Sequence, residues 1–312
     1  MTADNQKIIP HLWYDKEARE AAEFYASIFP ASKVEKTTVL PDTPSGNTEV
    51  VFFELWGQRF TAVSAGPFFK FNPSISLMIN IDPLFFEHSA SPEKDAINKL
   101  DGIWDALSHE GNVLVPLGKY SFSDRYGWVQ DKYGLCWQLI LTIPEGDPRP
   151  PIVPNMLFVG DNCGKAEEAI AHYLSVFRNS KMGCLFRYGP GQEPEKEESI
   201  MFSDLMLENH WFAIMESTRE YNFNFNEAVS FMLNCRDQEE IDYYWKELSA
   251  VPEAEQCGWI KDRYGVSWQI LPSVLDEMLR SGTREQIERV TRAFLQMKKF
   301  DISSLQRAYE EV

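Results

Sequence analysis

GWVQDKYGLCWQLIL, residues 127–141, returns near the end of the chain as GWIKDRYGVSWQILP, residues 258–272. Gly, Trp, Asp, Tyr, Gly, Trp and Gln keep their places, and Trp268 stands 131 residues after Trp137 (268 minus 137). A fixed-offset repeat of this kind marks a duplicated structural unit. Within the stretch, Trp128 and Val129 begin an extended apolar run that Asp131-Lys132-Tyr133-Gly134 interrupts. An Asp followed three positions later by Gly is a turn signature, because the carboxylate bonds nearby backbone and Gly accepts positive φ. Beyond it, residues 135–141 are apolar at nearly every position, the pattern of a strand buried on both faces. The reading is strand, turn, strand. Gln138 and Gln269 are the anomalies, each an amide inside the most apolar strand of its repeat. A buried amide finds partners or costs about 1–3 kcal/mol. Two readings stand open: an amide satisfied by its neighbours, or one facing a wet or ligand-filled cavity.

Working outward, residues 8–14 predict a strand with His11 and Trp13 on one face and Leu12 and Tyr14 on the other. Asp15 is placed to cap the helix that follows, whose stripe is Ala18, Ala21, Ala22, Tyr25, Ile28 and Phe29, ended by Pro30. Strands are expected at 33–40, 49–56, 59–64 and 74–82, with a turn-rich loop at 41–47. A helix runs through Ile97, Leu100, Ile103, Trp104 and Leu107, then a short strand at 113–116 and a Gly- and Ser-containing connection at 117–126 lead into the opening stretch. The order is β-α-β-β-β, twice. Five prolines between 144 and 154 predict a stiff linker.

The second half replays this order. Ala166, Ala169, Ile170, Tyr173, Val176 and Phe177 repeat the first helical stripe, FNFNEAVSFMLN (223–234) echoes FKFNPSISLMIN (69–80), and Trp245 and Leu248 repeat Trp104 and Leu107. Residues beyond 272 have no counterpart in the first half and predict a helical tail packed on the second module, with Ile287, Val290, Phe294 and Met297 along one helix. The expected domains are therefore 1–143, a linker at 144–154, 155–272, and a tail at 273–312.

The 312 residues are 44% hydrophobic and 13% aromatic, enough for a core in each half. A formal charge of −17 argues against nucleic-acid binding and against an anionic membrane surface, both of which want clustered Lys and Arg. The N-terminus carries no long apolar core of a signal peptide, and no run approaches a membrane span. Five Cys, an odd number without a CxxC pair, fit a reducing compartment. A cytoplasmic protein is expected.

IPHLWYDKEAREAAEFYASIF, FNPSISLMIN and the two GW-x-x-D-[KR]-YG-x-x-WQ hairpins together resemble the vicinal oxygen chelate superfamily of glyoxalase I, bleomycin-resistance proteins and extradiol dioxygenases. Within it, the chain is similar to the PhnB-like family, often labelled 3-demethylubiquinone-9 3-methyltransferase. The resemblance implies an α+β fold of tandem glyoxalase-like modules, each of two βαβββ units curled into a cup, plus the helical tail. It also implies pairing of the modules within the chain, with further homodimerisation open, and leaves open whether the modules exchange strands. Methyl transfer is disfavoured, because an adenosylmethionine site wants a Gly-rich strand-to-helix turn. The only close Gly spacing is Gly189-Pro190-Gly191 in an acidic loop.

Metal-using members of the superfamily take ligands from the first and last strands of each unit. Carried over by position, these are His11, a residue near Ala62 or Ser64, Ser74 or Ser76, and Gln138 in the first module. In the second they are Asn155, Met215, Ala228 or Ser230, and Gln269. First-row divalent metals want imidazole, carboxylate or thiolate, and His11 alone is a strong donor. The expectation is a cup without a metal cofactor, with a divalent-metal lyase, isomerase or dioxygenase as the alternative. The expected pocket is in the first module, with Trp13, Phe60, Phe71, Met78 and Trp137 on its wall and His11, Ser64, Ser76 and Gln138 as polar points. Its expected partner is a small apolar or aromatic molecule. His11 is the best candidate for proton chemistry, and whether the protein is an enzyme is left open.

Overall fold

The computed structural model describes residues 6–143 and 149–310. The chain opens with β1 (Ile8–Tyr14), α1 (Ala18–Ile28), β2 (Lys33–Thr43), β3 (Gly46–Leu55) and β4 (Gln58–Ser64). A second unit follows as β5 (Ile75–Ile81), α2 (Pro92–Ser108), β6 (Asn112–Tyr120), β7 (Ser123–Gln130) and β8 (Cys136–Leu141). The third is β9 (Ile152–Phe158), α3 (Ala166–Val176), β10 (Lys181–Arg187), β11 (Ile200–Leu207) and β12 (His210–Glu216). The fourth is β13 (Val229–Cys235), α4 (Gln238–Leu248), β14 (Trp259–Lys261) and β15 (Ser267–Pro272), and the tail is α5 (Ser273–Ser281), α6 (Arg284–Phe294) and α7 (Ile302–Glu310).

The strands form two mixed sheets, and these do not follow the halves of the sequence. One sheet has the order β14-β15-β13-β1-β4-β3-β2, the other β10-β11-β12-β9-β5-β8-β7-β6. β1 lies between β4, parallel, with His11 opposite Thr61, and β13, antiparallel, with His11 opposite Ser230. In the other sheet β9 lies between β12, with Asn155 opposite Ala213, and β5, with Asn155 opposite Ser76. The compact units are Met1–Lys70 with Phe225–Val312, and Phe71–Asn224. The compact units thus do not coincide with the expected stretches 1–143 and 155–272: the first βαβββ unit pairs with the last, and the two middle ones pair with each other. Periodicity identifies each unit, but either pairing buries the same kind of strand edge, so the partner is not written in the pattern.

Locally, the repeated hairpin forms as its residues dictate. Asp131 Oδ1 accepts from the backbone N–H of Tyr133 (2.8 Å) and Leu135 (3.1 Å), and Oδ2 accepts from Trp137 Nε1 at 2.8 Å. Asp262 does the same for Tyr264, Val266 and Trp268. Gly134 and Gly265 close the two turns at φ of +92° and +87°. Both Trp rings are fully buried, and each indole N–H donates to its Asp.

Several local expectations are revised. β2 runs to Thr43, through the expected loop, because it pairs with β3 as far as Gly46. The connection at 117–126 is mostly strand, paired across β6 and β7 with register shifts. Ile152–Pro154 belongs to β9, so the linker is shorter than 144–154, and residues 144–148 of it lie outside the described residues. The fourth unit has one strand fewer than the others among the described residues, with a 3₁₀ turn at Pro252–Ala254 before β14. Asp15 does not cap α1. The N–H of Ala18 is taken by Ser64 Oγ at 3.2 Å. The tail packs on strands from both ends of the chain: Leu275, Met278, Val290, Phe294, Phe300 and Leu305 form one core with Ile9, Met232 and Leu271. No helix among the described residues is long and apolar enough to cross a membrane.

Candidate functional site

Each sheet packs the helices of its βαβββ units against it. In the first compact unit, Ile8, Leu12 and Tyr14 of β1 are buried, and the Tyr14 hydroxyl meets that of Tyr25 on α1 at 3.2 Å. The alternate residues His11 and Trp13 point the other way, into a cavity of about 540 Å³. That volume lies in the range of small-molecule sites. Its walls come from β2–β4 (Leu40, Val50, Phe52, Val63), from β13–β15 (Met232, Trp259, Gln269, Leu271) and from the tail (Leu275, Leu279, Phe294, Phe300). Trp13 is the hub of an edge-on aromatic group, with Phe69 at 5.0 Å, Trp259 at 6.1 Å and Phe68 at 6.4 Å between centroids. His11 meets Trp259 edge-on at 5.5 Å.

The tail is held over this face by polar contacts. Arg280 Nη1 lies 2.8 Å from Glu35 Oε2 and Arg59 Nη2 lies 3.0 Å from Asp276 Oδ2. Thr38 Oγ1 donates to the Leu279 carbonyl at 3.2 Å, and Lys36 Nζ to that of Arg280. The Arg280 guanidinium also sits 4.3 Å above the Phe52 ring, a favourable cation–π geometry. The backbone N–H groups of Cys257 and Gly258 are taken by the Met297 and Lys298 carbonyls.

The polar floor of the cavity is a short chain of hydrogen bonds. Gln269 Nε2 donates to Ser230 Oγ at 3.0 Å, and Ser230 Oγ stands 3.4 Å from His11 Nδ1. Burial pushes the His11 imidazole from its usual range down to about 3, so it is neutral near pH 7. The only acceptor for the Ser230 hydroxyl proton among the described residues is His11 Nδ1. With the hydroxyl donating to Nδ1, the imidazole proton stands on Nε2.

In the second compact unit the equivalent glutamine is bonded at both ends of its amide, while Asn155 Oδ1 beside it is buried with no partner among the described residues. Gln138 Nε2 donates to Ser76 Oγ at 2.9 Å, Asn155 Nδ2 donates to the same oxygen at 3.3 Å, and the Tyr126 hydroxyl donates to Gln138 Oε1 at 2.7 Å. Beside it is a wider cleft of about 1200 Å³ lined by Met78, Ile140, Val153, Phe202 and Ala213, with Phe122, Ile143 and Phe186 exposed at its edge. Arg149 lies against it, paired with Asp204 at 2.6 Å and stacked 3.6 Å over Trp211.

The expected pocket residues are therefore divided. His11 and Trp13 line the cavity of the first compact unit. Phe60 belongs to that unit but stacks on Phe53 in the buried core, and Ser64 holds the start of α1. Ser76, Met78, Trp137, Gln138 and Phe71 belong to the second unit, where Met78 lines the cleft, Ser76 and Gln138 bond each other, Trp137 bonds Asp131 and Phe71 packs by Gly134. Residues 1–143 do not line the cavity alone. Trp259, Met232, Gln269 and the tail aromatics join His11 instead. Gln269 is visible in the sequence as an anomalous amide, and the tail's aromatics as a segment without a counterpart.

The position-equivalent donor sets are His11, Thr61, Ser230 and Gln269 in one sheet and Asn155, Ala213, Ser76 and Gln138 in the other. One imidazole among amides and hydroxyls does not suit a divalent first-row metal. Glu216 cannot help, because both its oxygens are committed to the backbone N–H groups of Ala166 and Ile200. Among the described residues, no group of three or more His, Cys, Asp and Glu could hold a metal ion. All five cysteines are free, and burial raises rather than lowers the Cys163 and Cys257 thiols, the opposite of nucleophile activation.

Comparison with known proteins places this geometry. A PhnB protein of Bacillus cereus, described as a 3-demethylubiquinone-9 3-methyltransferase, is 30% identical over 44% of this chain and all of its own, with a TM-score of 0.37. Glyoxalase I of Zea mays is 12% identical over 88% of this chain and 98% of its own, with a TM-score of 0.54, a likeness of fold. A dioxygenase-like protein of Bacillus subtilis is 13% identical over 87% and 89%, with a TM-score of 0.45. No curated protein matches the chain. The sequence profile described as 3-demethylubiquinone-9 3-methyltransferase matches residues 6–140 and again 150–271, so the chain belongs to that PhnB-like family, on a tandem glyoxalase fold.

Proposed function

We propose that the protein binds a small apolar or aromatic molecule in the cavity of the first compact unit, without a catalytic metal. The observation that carries this reading is the cavity itself: about 540 Å³, walled by Trp13, Phe52, Trp259, Phe294 and Phe300 with a few polar atoms at its floor. Apolar walls with few convergent polar groups are what small-molecule sites share. The donor set supports the metal-free part, and no Gly-rich strand-to-helix turn supports methyl transfer. Arg59, Asp276, Arg280 and Glu35 pair with one another, so the neighbouring charges are matched and the site favours a neutral guest.

The test is titration with a neutral fluorescent naphthylamine, read by dye emission and by quenching of Trp13 and Trp259. One saturable site per chain, lost in Val63→Trp, which fills the cavity, is the expected result. Absence of saturable binding to the unmodified protein contradicts the proposal. Elemental analysis of protein prepared without chelator adds a second arm: one equivalent of a divalent metal lost with His11→Ala favours the metal-dependent alternative.

A further inference from the structure

The hairpin that supplies Gln138 and Gln269 repeats at an offset of 131, and the two glutamines differ in what meets the amide oxygen. In the second unit, Tyr126 delivers a phenolic hydroxyl to Gln138 Oε1 at 2.7 Å. The residue 131 positions later is Cys257, which lines the cavity of the first unit. Gln269 Oε1 consequently accepts no hydrogen bond from any described residue. Gln269 is 6% exposed and borders the cavity, and its oxygen is not fully buried, so it opens onto the cavity. Leaving a buried acceptor unmatched is unfavourable. His11, also 6% exposed, has a second unmatched atom there, the ring nitrogen Nε2, which is a donor when the Ser230 hydroxyl donates to Nδ1.

We propose that the cavity of the first compact unit takes a neutral aromatic ring bearing a hydroxyl group, and that this hydroxyl donates to Gln269 Oε1, where Tyr126 donates in the other unit. The proposal rests on the reading of that cavity as a ligand site and names its ligand class. Edge-on Trp13, Trp259 and Phe69 suit a flat apolar ring. His11 Nε2–H serves an oxygen of the same guest. A phenolate fits badly, since it cannot donate to Gln269 and its charge would be desolvated. Neutral His11 offers it no counter-charge.

The experiment compares 2-naphthol with 2-methylnaphthalene, which has nearly the same shape, by calorimetry on the full chain, with the wild type and Gln269→Leu side by side. The expected result is that 2-naphthol binds about tenfold more tightly, the weight of one buried hydrogen bond, and that Gln269→Leu abolishes the preference while retaining 2-methylnaphthalene. Equal binding of the two probes, or tighter binding of 2-methylnaphthalene, overturns the hydroxyl proposal and leaves an apolar site standing. Binding of neither overturns both. A preference that survives in Gln269→Leu overturns the assignment to Gln269. If that variant does not fold, the wild-type ratio decides, and raising the pH until the probe ionises must weaken 2-naphthol alone.

Discussion

Gln138 and Gln269 are the same residue in the same strand of two copies of one hairpin, and they have opposite surroundings. Gln138 is fully buried with both ends of its amide engaged, by Ser76 and by Tyr126. Gln269 engages only its nitrogen, and its oxygen borders a cavity. The difference lies in what covers the sheet. In the first compact unit three tail helices close over the sheet and leave a walled space. In the second, a tyrosine hydroxyl completes the floor and the cleft above it stays wide, with exposed Phe122 and Phe186 at its edge. Duplication supplied two equivalent glutamines, one bonded at both ends of its amide and the other with its oxygen open to a cavity.

The comparison depends on the exchange of units, so the first way to break it is to cut the chain. A fragment of residues 1–143 keeps β1–β4 but loses β13 and β15, and with them the antiparallel partner of β1 and the cover of Ile9. It is expected to lose its cooperative unfolding transition as a monomer, or to self-associate, and to regain a transition when mixed with residues 144–312. Calorimetry and sedimentation of the separate and mixed fragments check this. A stable monomeric fragment with an intact dye site would refute the exchanged pairing.

The next largest effect falls on both units alike. Asp131→Ala removes the acceptor of Trp137 Nε1 and of two backbone N–H groups in a 4% exposed site. Asp262→Ala does the same at 1% exposure. Each is expected to cost about 3 kcal/mol or more, as buried hydrogen bonds to a charged group do. Chemical denaturation measures it. A loss below about 1 kcal/mol for either would mean that the hairpin is not held as its sequence suggests.

These hairpins were the most legible part of the chain. Asp, Gly, Trp and an apolar strand at fixed spacing dictate their own local structure, and the turn, both strands and the buried Trp rings follow from them. The helical stripes of α1 and α3 were equally plain, since Ala18, Ala21, Ala22 and Tyr25 have a single burying face. The site was half legible. His11 and Trp13 announce a polar-aromatic face on β1, but their companions from β13–β15 and the tail, Met232 to Phe300, lie more than 200 residues further along the chain. No local pattern encodes which of two equivalent units will supply the other half of a cup. Ser64 illustrates a second limit: a hydroxyl at a strand end can face a cavity or satisfy a helix terminus, and here it satisfies the N–H of Ala18.

The third test uses pH. Burial holds His11 at about 3 in the folded protein, against about 6.5 when unfolded. Between these values the unfolded chain binds the extra proton, so stability from this group is complete above pH 6.5 and falls as pH drops toward 3. The slope is about 1.4 kcal/mol per pH unit through that window. His11→Gln should flatten this part of the stability profile, while Asn155→Gln, at the equivalent place in the second unit, should leave its shape unchanged. Identical profiles for His11→Gln and wild type would show that His11 takes up its proton freely in the folded state, and would open the first floor to water.

The smallest effect sharpens the comparison most. Tyr126→Phe removes one hydroxyl and leaves Gln138 Oε1 buried without a donor, which should cost about 1–2 kcal/mol. Gln269→Leu removes an amide whose oxygen is already unmatched and replaces it with an apolar side chain against an apolar wall. It gives up one hydrogen bond to Ser230 but relieves the unmatched acceptor, so stability should change by less than about 0.5 kcal/mol. Gln138→Leu, by contrast, breaks two bonds in a buried network and should resemble or exceed Tyr126→Phe. Denaturant midpoints of the three variants give the ordering directly. Equal losses for Gln138→Leu and Gln269→Leu would mean that both amides are structural and that the cavity beside Gln269 has no polar demand to meet.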